Sequence, residues 1–183
     1  MSILAESPAV VIPEGTWSID PAWSALEFEV RKIGIVPVRG RVPGFTGTIV
    51  GGGQASFVGT ADPASVTTFD ETRDAHVKSP DFFDAERFPT MTFESTEVSL
   101  DGEELVVTGD LTIKGVTRPV LLKGTFLGAG VDPYGNERIG IELEGTVDRT
   151  DYDLNWNAPL PGGGFLLPNE VTLRATLTGV REA

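Results

Sequence analysis

Cysteine is absent and histidine occurs once, at His76. The first absence excludes disulfides, thiolate catalysis and cysteine-based metal sites. The second leaves carboxylates as the only companions for a metal at His76, so no metal site is expected. Cations are scarce too: 14 Lys and Arg stand against 27 Asp and Glu, a formal charge of −13. A surface this acidic repels phosphate backbones and anionic membranes, and no nucleic-acid partner is expected. No apolar run approaches the ~20 residues of a transmembrane helix. The opening M-S-I-L-A-E-S-P-A-V-V-I-P-E-G has no basic residue before its apolar positions and no run long enough for a signal peptide. The chain so reads as cytoplasmic, or as periplasmic or secreted if a leader has been removed. Catalytic motifs are missing as well. There is no G-x-S-x-G, and Gly51-Gly52-Gly53 lacks the Gly-Lys-Ser/Thr ending of a phosphate loop.

Glycine (22) and proline (13) are plentiful, which suits many strands joined by turns. A chain of 183 residues suffices for one domain that buries a sizeable core or encloses a cavity. Residues 1–14, with Pro8 and Pro13, read as an extended tail, and residues 15–183 as the domain. Within it the hydrophobic period is two. Leu26, Phe28 and Val30 alternate with Glu27, Glu29 and Arg31. Leu105, Val107, Leu111 and Ile113 alternate with Val106, Thr108, Thr112 and Lys114. Leu122 and Phe126, then Ile139, Ile141 and Leu143, then Val171, Leu173 and Ala175 repeat the pattern. Each segment reads as a half-buried strand. Residues 38–50 read as one strand interrupted by glycines, and 54–59 and 64–69 as short strands around Asp62-Pro63. About eight antiparallel strands result. Their length and interior glycines favour a closed barrel over a sandwich. Singly, phenylalanines such as Phe45, Phe57 and Phe69 read as packed core; as a set they leave room for an apolar cavity.

Residues 72–93, T-R-D-A-H-V-K-S-P-D-F-F-D-A-E-R-F-P-T-M-T-F, differ from the rest. Asp70 or Thr72 can cap a helix over about 71–78, Ser79-Pro80 ends it, and helix-and-turn character continues to about 86. From Pro89 alternation resumes, with Met91 and Phe93 on one face. Arg73 and Asp74 suit an ion pair at a barrel rim. With His76 they form a polar rim or lid, and Arg73, His76 or Lys78 could instead meet a ligand's polar end. Residues 148–168 are irregular and apolar, as a loop lying over a cleft would be.

The long motif above, together with V-T-G-D-L-T-I-K-G-V-T-R-P-V, resembles the YceI family of lipid- or polyisoprenoid-binding proteins. W-S-I-D-P-A-W-S, V-R-G-R-V-P-G-F-T-G, D-R-T-D-Y-D-L-N-W-N and N-E-V-T-L-R-A-T-L extend the resemblance over residues 16–180. It implies a lipocalin-like barrel of eight antiparallel strands, to which the residue pattern adds the helical segment near 71–86 and the capping loop near 148–168. It implies a polyisoprenoid, such as a quinone tail, in the pore, no required cofactor and no catalysis. Pore-lining positions implied by the match are Leu26, Phe28, Val30, Phe45, Phe83, Met91 and Phe93. Leu111, Ile113, Leu122, Phe126, Ile141, Leu143 and Trp156 complete them. Trp23 and Lys32 stand where the family commonly carries histidine.

Three functions remain open on these residues. One is a non-enzymatic carrier of an isoprenoid or other long-chain lipid. Another is an enzyme acting through His76 with Asp74 or Asp81. The last is a solid barrel serving structure or interaction. Outward valines such as Val106 leave room for a homodimer.

Overall fold

A computed structural model describes residues 12–183. Ten strands form: β1 (Gly15–Ile19), β2 (Ala25–Lys32), β3 (Val36–Arg41), β4 (Phe45–Gly51), β5 (Ser56–Ala61), β6 (Met91–Asp101), β7 (Glu104–Ile113), β8 (Val116–Val131), β9 (Glu137–Asp148) and β10 (Glu170–Arg181). They make eight staves, because two staves are each built from two strands. β1 and β2 both pair with β10, at Ile19↔Gly179 and Leu26↔Ala175, and the turn Pro21–Trp23 separates them. β3 pairs with β2 and β4 with β1, so Val42-Pro43-Gly44 breaks the other stave. Pro43 has no N–H to give a ladder, which suits a break there. All pairings are antiparallel, and the circle closes through β1–β10. The eight-stranded barrel expected from the sequence is thus present, with kinks in two staves.

The alternating pattern sets the faces. Leu105 and Val107 are buried, whereas Glu104 and Asp110 are exposed. The long barrel strands arise where β-branched and polar residues alternate without interruption. Outward carboxylates and guanidinium groups form cross-strand pairs. Glu29 on β2 accepts from Arg39 of β3 and Arg174 of β10 at 2.9 and 3.5 Å. The Arg39 guanidinium chiefly holds the Glu29 carboxyl below its usual range, against the opposing effect of burial.

Three departures from the sequence reading have local causes. Residues 64–69 form no strand: Asp62 caps a short turn at Pro63–Ser65, and one isolated bridge joins Thr67 to Arg41. Phe69, expected in the core, has φ 63° and is 73% exposed. The tail expected over 1–14 ends early. Ile12 is packed in the core, and its carbonyl accepts from Gly52 N at 3.0 Å; residues 1–11 lie outside the described residues.

The connections sort to two ends. The β2–β3 and β7–β8 turns, residues 62–90 between β5 and β6, and residues 149–169 between β9 and β10 share one end. Residues 62–90 contain α1 (Glu71–Lys78), the helix expected there. Among the described residues no helix is long and apolar enough to cross a membrane.

Candidate functional site

The barrel interior is solid at one end and hollow at the other. Trp17, Ile49, Phe57, Leu105, Val107, Ile139, Ile141 and Leu177 fill the end away from α1. Nearer α1 the same inward faces enclose a cavity of about 420 Å³, within the ~300–1,000 Å³ range of small-molecule sites. Leu26, Phe28, Val30, Phe45, Met91, Phe93, Leu111, Ile113, Leu122 and Leu143 contribute to its wall. Two aromatic rings are accommodated there by glycines. Phe28 faces Gly40 across the β2–β3 ladder, and Phe93 lies over Gly109.

The helix that closes this end is fixed by its own first turn. Asp70 caps it by accepting from Arg73 N at 2.8 Å. Asp74 then accepts from Thr67 Oγ1 at 3.0 Å and from Thr68 N at 2.6 Å. Burial works to raise the Asp74 pKa, but the hydrogen bonds from Thr68 and Thr67 outweigh it and hold the carboxyl below its usual range. Arg73 reaches the same residue from the other side. Its Nε donates to Thr68 Oγ1 and its Nη2 to Thr68 O, both at 2.7 Å. The expected Arg73–Asp74 pair is therefore replaced by two grips on Thr68, which is buried.

His76 lines the cavity between two aromatic rings. Its ring lies 5.1 Å from Phe82 and 4.6 Å from Trp156, edge-on to both. Its Nε2 is 2.8 Å from Asp81 Oδ2. Asp74 is engaged elsewhere, so Asp81 is the carboxylate beside the imidazole. Ser79 Oγ donates to the His76 carbonyl at 2.6 Å and is not directed at the ring. Among the described residues no group of three or more metal-ligating side chains gathers.

Residues 149–169 complete the cover. Arg149, buried at 5% exposure, donates to the carbonyls of Pro168 at 2.9 Å, Leu154 at 2.5 Å and Trp156 at 2.9 Å. Burial pushes its pKa down, opposed by nearby Asp148. Asn157 ties the neck, donating to Leu167 O at 2.7 Å and accepting from Leu167 N at 2.9 Å. Leu166 and Leu167 are thereby brought to the cavity rim. Lys114, read from alternation as an outward wall residue, sits in the β7–β8 turn with φ 51°. Its Nζ donates to Pro80 O at 3.3 Å and to Asp153 O at 3.0 Å, joining both covers. Tyr152 lies under the loop. Its hydroxyl is the one buried side-chain polar atom, among the described residues, without a hydrogen-bond partner.

Of the residues expected at the pore, Phe83 and Trp156 belong to the cavity's covered end, and Phe126 and Ile141 do not line it. Ile141 is fully buried within the solid end, and Phe126 packs against that cluster. Arg73 and His76 line the cavity, whereas Asp74 stands behind the helix on Thr68. Arg149 escaped the sequence reading, which puts Lys114 only on the outer wall. The signal for Arg149 was weak: one cation among Asp148, Asp151 and Asp153, ahead of an apolar loop. Trp23 is at the solid end, its ring 4.0 Å from the Arg138 guanidinium; Lys32 is at the cavity rim.

A family model described as the YceI-like domain matches residues 17–179. UPF0312 protein plu2095 of Photorhabdus laumondii is 42% identical over 119 residues, 65% of this chain and 59% of that protein. Protein YceI of Escherichia coli O157:H7 is 44% identical over 95 residues, 52% of this chain and 50% of its own length. The matched region thus spans only 50–59% of these curated relatives. Among solved structures, BcnA of Burkholderia cenocepacia superposes with a TM-score of 0.75 at 22% identity, covering 87% of this chain and 98% of that one. A polyisoprenoid binding domain from Saccharophagus degradans, implicated in plant cell wall breakdown, gives 0.65 at 18% identity, covering 91% and 98%. At such identities the last two show a shared fold.

Proposed function

The chain belongs to the YceI-like domain family, and from that premise we propose that it is a non-enzymatic carrier of a polyisoprenoid, of the quinone-tail kind, or of another long-chain lipid. The observation that carries this reading is the half-hollow barrel: a cavity of about 420 Å³ walled by apolar side chains, solid below and covered by His76, Phe82 and Trp156. An alkyl or isoprenyl chain gains ~0.8 kcal/mol per buried CH₂, so about ten carbons gain ~8 kcal/mol before ordering costs. The outer face, rich in carboxylates, keeps a loaded barrel dispersed. No cofactor is needed for that role.

The reading is tested by gentle purification, solvent extraction and mass spectrometry. A stoichiometric long-chain lipid, or saturable uptake of added ubiquinone, is the expected result. Absence of both would overturn it. An enzyme reading through His76 and Asp81 has one observation in its favour, their 2.8 Å contact at the cavity rim. Should any turnover be detected, loss of it in His76→Ala, with lipid content unchanged, would favour that reading.

A further inference from the structure

The cavity's covered end carries an apolar collar on one side. At the β2–β3 turn Ile33 is 48% exposed, Ile35 68% and Val36 51%. Beside it, Phe165 on the 149–169 connection is 63% exposed. The two pieces are joined: Ile33 N donates to Leu166 O at 2.8 Å. Val30, Lys32, Leu166 and Leu167, immediately behind these side chains, line the cavity. The collar is therefore continuous with the cavity wall.

Its turn is built at some cost. Ile33 and Gly34 have φ of 48° and 71°, and Ile35 N donates to Lys32 O at 3.0 Å. Such a turn favours Asn, Asp or Gly at the first position. A β-branched residue there is strained. The strain is kept at a place where about half of the Ile33 side chain stays in solvent, which points to a use outside the fold.

Charge is distributed to match. From Arg31 to Ala61 there is no Asp or Glu, and residues 154–169 carry no charged side chain. Residues 25–41 hold four cations against Glu27 and Glu29, a balance of +2 in a chain of −13. The collar itself, residues 30–38 with 154–169, carries Arg31 and Lys32 and no carboxylate, so it is the patch of this end that a phosphate-bearing surface repels least. Approach to such a surface is thus biased toward the one side that carries both the apolar tips and the cavity rim.

We propose that this collar docks on a phospholipid bilayer, with Ile33, Ile35, Val36 and Phe165 entering the headgroup–acyl boundary and Lys32 meeting lipid phosphates, so that a lipid chain passes between bilayer and cavity without crossing water. The transfer step rests on the carrier reading of the cavity; the docking step does not.

The test uses the full chain and vesicles of phosphatidylcholine mixed with phosphatidylglycerol. Wild type is expected to co-sediment with the vesicles. A triple variant, Ile35→Ser, Val36→Ser and Phe165→Ser, is expected to partition about tenfold less or lower, with a thermal midpoint lowered only slightly, since more than half of each side chain is already in solvent. Lys32→Glu alone should weaken binding to the mixed vesicles and leave pure phosphatidylcholine binding unchanged. Transfer of ubiquinone from loaded vesicles should slow in the triple variant, with the amount bound at equilibrium unchanged. Failure of wild type to co-sediment, or equal binding by the triple variant, would overturn the proposal. So would sedimentation velocity showing a wild-type dimer that the triple variant abolishes, because the collar would then be covered by a second copy. If docking fails while extraction still yields lipid, the carrier reading stands and the collar proposal alone falls.

Discussion

Phe28 lies over Gly40, its cross-strand partner, so closely that a Cβ at Gly40 would come within 2.5 Å of Cε1 and 2.8 Å of Cε2 of the ring. The glycine is what lets this ring lie against the wall instead of in the pore. Gly40→Ala would push the ring into the cavity. The expected cost in stability is ~1–2 kcal/mol, as for an overpacked core. Isoprenoid affinity should fall about tenfold, ~1.4 kcal/mol. Chemical denaturation and quenching of tryptophan fluorescence by ubiquinone measure the two separately. Tighter binding would contradict this placement of the ring.

Arg149 holds the second cover by three carbonyls, so its loss should free that cover. Lysine retains the charge but lacks the planar fork that reaches several acceptors. Arg149→Lys is expected to destabilise by ~2–3 kcal/mol, because buried carbonyls lose their donors. Hydrogen exchange should accelerate across 154–168 before it does in β9 or β10. Uniform acceleration throughout the barrel would instead indicate that Arg149 supports the whole fold.

The faces of the barrel were legible in the sequence because a strand's period is two. Leu26, Phe28 and Val30 declare one side without any knowledge of their neighbours. Helix α1 was legible from Asp70 and the Ser79-Pro80 step, which act within a turn. Depth along the barrel axis was not legible. Ile141 and Leu143 alternate identically, yet only Leu143 reaches the cavity. What separates them is strand stagger, adjusted by irregular register at Phe126/Gly128 and Ser95/Glu97. No pattern within one strand encodes that. Nor does one encode Lys114, whose partners Pro80 and Asp153 are 34 and 39 residues away.

The solid end carries its own clamp, and it is sensitive to acid. Arg138 donates to Asp132 at 2.6 Å and to Asp20 at 2.8 Å. The Arg138 hydrogen bond holds both carboxyls below their ordinary range. A depressed carboxylate pKa contributes stability that is fully present above the unfolded value of ~3.9 and is lost as pH falls through the folded one. Wild type should accordingly keep this contribution at neutral pH and lose it progressively below about pH 4. Arg138→Gln removes the cause, so its acid unfolding midpoint should move to higher pH. Circular dichroism against pH reads the shift; coincident acid limbs would remove the clamp from the account.

Tyr152 offers the opposite sign. Burial pushes its phenol up to about 12, against an ordinary value of ~10. The neutral form is thus favoured by the fold. Its contribution is fully present below about pH 10 and lost as pH rises toward the folded value, because the unfolded chain releases the proton first. Its hydroxyl also has no hydrogen-bond partner among the described residues. Removing such a group while keeping the ring costs nothing in packing and relieves an uncompensated desolvation of ~1 kcal/mol or more. Tyr152→Phe should therefore be more stable than wild type at neutral pH, and the gap should widen between about pH 10 and 12. Urea unfolding at neutral and alkaline pH measures both. A less stable variant at neutral pH would mean that the hydroxyl has a partner, and a bound lipid's oxygen would be the first to look for by repeating the measurement on extracted protein.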